Sequence, residues 1–252
     1  MKDILVTLPS NNLSGAPAAE VAAVGAPCAV ASSDAEDVIA AVADPDTFLE
    51  LSASFGKAAV TGLAQISGAS VGIVAYTGEI DADACAKAAR FVRFCDAFSL
   101  PVVSFVNATE FASLREAVKL SNAYAEATCA KITVITGEAY GPVYIAVAGR
   151  GANADYTMAW TDAVVSPMAP AAAALFLHSE ELKGAEKPVE ARKALIEEYK
   201  KTEATPLSAA AQGYIEDVIL PEETRDRVIA NLAMLSTKRV SNLPKKHSNI
   251  QL

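Results

Sequence analysis

Residues 70–76 read SVGIVAY, residues 102–106 VVSFV and residues 131–136 KITVIT. Each is a short run rich in β-branched residues without polar–apolar alternation, the pattern of a strand buried on both faces. Two amphipathic stretches separate them. In residues 83–98 (DACAKAARFVRFCDAF), Cys85, Ala88, Ala89, Phe91, Val92, Phe94 and Cys95 recur at helical spacing, while Lys87, Arg90 and Arg93 take the other positions. Residues 111–128 repeat that logic. A strand, a long helix and a second strand make a β-α-β unit with a right-handed crossover, so an α/β fold with a largely parallel sheet is predicted.

Downstream, residues 137–142 (GEAYGP) lead from the third strand into an apolar helical stretch that runs to Gly149. Residues 155–160 and 163–166 are further strand candidates, and residues 170–178 form an Ala-rich helix begun by proline. The last third is different in character. It holds a highly charged helix over 190–202, a helix from Pro206, a short strand over 215–219 and a helix from Pro221 to Leu235. The first thirty residues are rich in Ala, Ser and Pro, and no internal repeat is present.

At 252 residues, 52% apolar and 20% charged, the chain is long enough for one large core and too apolar to be disordered. It has 52 alanines against 16 Phe, Trp and Tyr, so tight packing of small side chains is expected. Mean hydropathy is +0.26. Yet the longest nearly unbroken apolar run, residues 168–177, is about half of the ~20 residues that span a bilayer. With no signal-peptide pattern at the start, a cytoplasmic location is expected.

The formal net charge of −9 argues against nucleic acid as a partner. The exception is a basic ending with Lys238, Arg239, Lys245, Lys246 and His247. Cys28, Cys85, Cys95 and Cys129 form no C-x-x-C pair and read as reduced core thiols. With only His178 and His247 in the chain, no metal site and no well-placed Ser-His-Asp triad are expected.

Residues 88–98 (AARFVRFCDAF) followed by 100–103 (LPVV) carry a resemblance. It continues through 124–128 (YAEAT), 131–136 (KITVIT), 139–141 (AYG), Ala159-Trp160, 213–219 (GYIEDVI), 221–225 (PEETR) and 244–250 (PKKHSNI). Residues 37–51 and Val60-Thr61-Gly62 look like the entry to the same unit. Together they resemble the C-terminal half of the carboxyltransferase subunits of biotin-dependent acyl-CoA carboxylases and decarboxylases. That resemblance implies a crotonase-like fold of repeated β-α-β units with a C-terminal helical region. It further implies a connector or extension over 1–33, in which 8–12 (LPSNN) resembles the joint between the family's two halves, and one domain over 34–252. The implied partners are a separately encoded N-terminal-type half, a biotin carrier protein and further copies in an oligomer. Biotin on the carrier and an acyl-CoA substrate, without a metal, are the implied cofactor and substrate, and the chain would supply the biotin side of the active site and oligomer contacts.

Carboxyl transfer between biotin and the carbon beside a thioester develops negative charge on the ureido and enolate oxygens, which preorganised N–H donors stabilise. In crotonase-like folds a strand-to-helix turn supplies them. Here the turn is 139–144 (AYGPVY), so Gly141, Pro142 and Val143 are the candidate catalytic backbone, with Tyr144 and Ile145 beside them as candidate substrate-binding residues. Family members typically have a second glycine where Pro142 stands. Proline has no N–H, and a lost oxyanion donor costs about 2.7–4 kcal/mol; the N–H of Val143 remains. Residues 107–117 (NATEFASLREA) read as a shortened loop that has lost its glycines, with Thr109 and Phe111 the further substrate-binding candidates. A plainer reading is that Gly141 and Pro142 end a strand and start a helix, and that Ile145 is a core residue. Three functions follow: an active half-subunit, a non-catalytic homologue within such a complex, and a stand-alone crotonase-like hydratase or hydrolase.

Overall fold

Asp81 shows how local sequence sets the central units. Its carboxylate accepts the N–H of Ala84 at 2.6 Å and starts a sixteen-residue helix directly after a strand. The computed structural model describes residues 2–11, 14, 15, 17, 18, 30, 32–184 and 187–240. Cys28, Asn12 of the expected joint and the 244–250 motif lie outside them.

In chain order the elements are α1 (Lys2–Thr7), α2 (Ala35–Val42), β1 (Leu49–Glu50), β2 (Ala59–Ile66), β3 (Ala69–Ile80), α3 (Ala82–Ala97), β4 (Val102–Phe111), α4 (Leu114–Glu126) and β5 (Lys131–Tyr140). There follow β6 (Tyr156–Trp160), β7 (Val164–Ser166), α5 (Pro170–Leu177), α6 (Ser179–Gly184), α7 (Pro188–Thr202), α8 (Pro206–Ala211), β8 (Asp217–Ile219) and α9 (Thr224–Leu235). One sheet takes the order β1-β2-β3-β4-β5-β6-β8, with β7 also pairing β5. From β3 to β8 every pairing is parallel, while β1, β2 and β3 form an antiparallel meander. The α/β class and the largely parallel sheet follow the prediction, with the antiparallel pairs at the β1–β3 border. None of the described helices is long and apolar enough to cross a membrane.

Small residues bring the layers together. Cys95 of α3 sits so close over β3 that a Cβ on Gly72 would lie 2.4 Å from its sulfur. Burial drives the Cys95 thiol well above its ordinary range, and those of Cys85 and Cys129 up to about 12, as expected of inert core thiols. Helix α4 turns Ala117, Leu120, Ala123 and Tyr124 inward. The Tyr124 hydroxyl lies 3.0 Å from that of Tyr76 on β3 and 2.8 Å from that of Ser104 on β4, a buried chain of hydroxyls that fixes helix to sheet. At the far end of the sheet the Trp160 indole N–H donates to Thr224 (2.9 Å), and Arg225 reaches Asp44 and the carbonyl of Val42, so α9 is tied to both α2 and the sheet. Pro17 and Ala18, within the expected 1–33 extension, pair with the start of β3.

Two expectations are corrected. Lys87, placed on the polar side of its helix by spacing, is only 5% exposed. Its Nζ has no hydrogen-bond partner and lies 3.9 Å from a carboxylate oxygen of Glu50, on β1. The strand expected over 102–106 runs on to Phe111, so residues 107–111 are not a loop, and α4 begins at Leu114. The cause is Asn107. At the irregularity between Val106 and Ala108, its side-chain oxygen accepts the N–H of Glu138 at 3.1 Å. Its amide donates to Ser33 at 3.2 Å, so side-chain bonds carry the pairing past the break.

Candidate functional site

Strand β5 ends at Tyr140 and the chain turns at Gly141, whose φ of 56° is left-handed and favours glycine. The N–H of Gly141 is already engaged, donating to the carbonyl of Ser166 at the end of β7 (3.1 Å). Pro142 is exposed at the start of the helical turn, where a missing N–H costs nothing structurally. Val143, helical with φ −64° and ψ −49°, is fully buried. The expected apolar helix is a π-helical turn over Tyr144–Ala148, closed by the N–H of Gly149 on the carbonyl of Tyr144 at 2.7 Å. Such turns place side chains outside the register of an α-helix and recur at functional sites.

The turn forms one side of a pocket of about 220 Å³, to which Gly141, Tyr144 and Ile145 contribute. Ser166, the last residue of β7, and Pro167 after it also line the pocket. The opposite side comes from α8 and the residues after it, chiefly Ser208, Ala209, Gln212 and Tyr214. The pocket therefore opens at the C-terminal ends of β5 and β7, where parallel strands of α/β sheets present their ligand sites. Glu203 is the one charged lining residue, and hydroxyl, amide and apolar groups make up the rest. This chemistry suits an uncharged ring or acyl group and gives no cation to hold phosphates.

Tyr144 crosses the pocket. Its hydroxyl donates to the carbonyl of Tyr214 at 2.5 Å, and the two rings meet edge to face with centroids 6.2 Å apart. Beside the turn but outside the pocket lining, the Tyr140 hydroxyl donates to Glu138 (3.2 Å), whose other oxygen pairs with Lys200 of α7 (3.2 Å). Burial and then the Glu138 charge push the Tyr140 phenol to about 12. Among the described residues, no group of three His, Cys, Asp or Glu side chains is placed to hold a metal ion.

Of the sequence candidates, the structure brings Gly141, Tyr144 and Ile145 to one pocket. Pro142 and Val143 belong to the same turn without lining it. Thr109 and Phe111 lie elsewhere, on β4, where Phe111 pairs with Ile80 and is buried. Ile145 is 59% exposed, so its reading as a core residue is set aside. The far wall escaped sequence reasoning. Its signals were the 213–219 motif and the Thr205-Pro206 pair, where the Thr205 hydroxyl accepts the N–H of Ser208 (3.1 Å) and starts α8.

The family described as "Carboxyl transferase domain" matches residues 2–250. A propionyl-CoA carboxylase carboxyltransferase subunit of Haloferax mediterranei is 41% identical over 233 residues, covering 87% of this chain and 45% of its own length. The methylmalonyl-CoA carboxyltransferase 12S subunit of Propionibacterium freudenreichii subsp. shermanii is 39% identical over 230 residues, covering 86% and 44%. A crystal structure of transcarboxylase 12S, a hexamer assembly with methylmalonyl-coenzyme A and methylmalonic acid bound, superposes on all of this chain and 53% of its own. That match has a TM-score of 0.90 and 35% identity, and it makes the fold crotonase-like. The chain spans about half the length of the curated relatives it matches. Over nearly its whole length, the chain belongs to the carboxyl transferase domain family.

Proposed function

We propose that this chain is a half-subunit of a biotin-dependent acyl-CoA carboxyltransferase or decarboxylase of the cytoplasm, supplying the biotin side of the active site and oligomer contacts. It works with an N-terminal-type carboxyltransferase half supplied as a separate chain and with a biotin carrier protein. The observation that carries the reading is the pocket formed by the 141–145 turn and α8, lined by apolar, hydroxyl and amide groups with Glu203 its one charged residue, and with Ile145, Leu207 and Tyr214 exposed around it. Apolar residues clustered at the rim of a ligand pocket suit a surface that a second protein covers. The fit to biotin is chemical. Ser166, Ser208 and Gln212 offer hydrogen-bonding groups to a neutral ring, and Tyr144 and Ile145 offer apolar contact. Biotin, when bound, carries the carboxyl group; the chain's own residues position it and exclude water.

Co-expression with an N-terminal-type half and a biotinylated carrier tests the reading. Carboxyl transfer from malonyl-, methylmalonyl- or glutaconyl-CoA is expected only when both halves are present. No transfer from any of the three would sink it.

A second reading, a non-catalytic member of the same complex, is favoured by Pro142, which removes one backbone donor from the turn. The Pro142→Gly variant decides between them. An inactive complex that gains transfer supports the non-catalytic reading, whereas an active complex that keeps or raises its rate supports the first.

A further inference from the structure

One side-chain hydrogen bond joins the two walls of the pocket. Tyr144 begins the π-helical turn, and its hydroxyl donates across the pocket to the carbonyl of Tyr214, 70 positions later in the chain. Tyr214 follows Gly213, whose φ of 76° is left-handed and whose surroundings are open, so no side chain packs against the wall at that point. The tyrosine is itself seated by a glycine, since a Cβ on Gly149 would lie 2.5 Å from the Cζ of the Tyr144 ring. Burial, aided by Glu216, pushes the Tyr144 phenol to about 12, so it stays protonated and remains the donor at neutral pH. The hydroxyl thus tethers the near wall, which includes Gly141 and Ile145, to the far wall, which includes Gln212 and Tyr214.

We propose that Tyr144 is the positioning residue of this site, setting the pocket's width through Tyr214 and thereby its affinity for the uncharged group that enters, without touching the reacting atoms. This rests on the pocket being the ligand site of the proposed carboxyltransferase. Loss of the hydroxyl leaves the ring and the π-helical turn in place but removes the bond that joins them to residue 214, so the far wall rests on the backbone bonds from Gly213, Tyr214 and Glu216 to Ala210, Ala209 and Thr157 alone and opens more readily. Ligand binding weakens because the wall must then be ordered at each encounter, while the bound complex reacts as before.

The test is Tyr144→Phe in the complex reconstituted with the other half, with methylmalonyl-CoA as donor and free biotin as acceptor. The KM for free biotin is expected to rise about tenfold, the effect of one lost hydrogen bond, with kcat within about twofold. In the same variant, amide hydrogen exchange over 213–216 is expected to accelerate about tenfold while the melting temperature changes little. Gly149→Ala, which displaces the ring but keeps its hydroxyl, should reproduce both changes. Unchanged exchange overturns the tether, and faster exchange with an unchanged KM overturns its control of the site. If the wild-type complex transfers no carboxyl group from methylmalonyl-, malonyl- or glutaconyl-CoA, the functional reading falls separately, and the exchange experiment alone upholds or overturns the tether.

Discussion

The ammonium group of Lys131, the first residue of β5, lies 2.6 Å from the carbonyl oxygen of Ala127 and 2.7 Å from that of Tyr124, so a strand residue caps the C-terminus of α4. Two orphan carbonyls and the negative end of the helix dipole are satisfied by one cation. Burial still pulls its pKa below the ordinary lysine value. Lys131→Met leaves both carbonyls buried without a donor, at about 1–3 kcal/mol each. Urea denaturation should show a midpoint lowered to match, with no change in slope; a stability equal to wild type would refute the cap.

Lys87 gives the opposite sign. Its amine is buried without a hydrogen-bond partner, and burial lowers its pKa despite the Glu50 charge. Lys87→Met keeps the length and apolar contacts and removes the desolvation cost of an unpaired polar group, about 1–3 kcal/mol from mutational data. A rise in the denaturation midpoint is expected. A fall would mean that the Glu50 contact outweighs the burial.

Asp44 sets an acid limit. Burial pulls its carboxyl up, but the Arg225 guanidinium, then the N–H groups of Gly68 (2.7 Å) and Ser67 (2.9 Å), outweigh it and hold the pKa below the ordinary carboxylate value. A lowered folded-state pKa contributes stability that is present above about pH 3.9 and lost as pH falls through the folded value. Asp44→Asn should therefore melt below wild type at pH 7, and the gap should close on acidification below about pH 3.9. A gap independent of pH would remove the ionic contribution.

Gly137 allows the strand irregularity beside it. A Cβ there would lie 2.2 Å from the Asn107 side-chain oxygen, so Gly137→Ala must expel the amide and leave the N–H of Glu138 without its acceptor. The cost is expected at about 1–3 kcal/mol. In the Asn107→Ala background it should be markedly smaller, because the clash is gone; additive effects in the double-mutant cycle would contradict the contact.

The central β-α-β units were legible because β3, β4 and β5 are buried on both faces and their β-branched runs are uninterrupted. Strand β2 was not read, since Thr61, Gly62 and Gln65 break its apolar pattern although six of its eight residues are buried. The reach of β4 through Asn107 depended on a partner on another strand. So did the burial of Lys87, which spacing within one helix cannot show and whose charge partner Glu50 lies on another element. The turn at Gly141 was visible as Gly-Pro after a strand. The pocket it forms was not, because its other wall lies some 60 to 70 positions away in small polar residues with no periodic signature.

The two borders of the sheet have a consequence for how the chain meets other molecules. Strand β1 pairs through only Leu49 and Glu50, and β8 is three residues long. Short borders give another chain too few free N–H and C=O groups to add a strand, which guards an alanine-rich, largely apolar protein against ribbon-like aggregation. Association is left to helices and loops, where Phe176 of α5 is 75% exposed and Leu207 of α8 is 70% exposed. What the chain offers to other molecules is side chains and not strand edges.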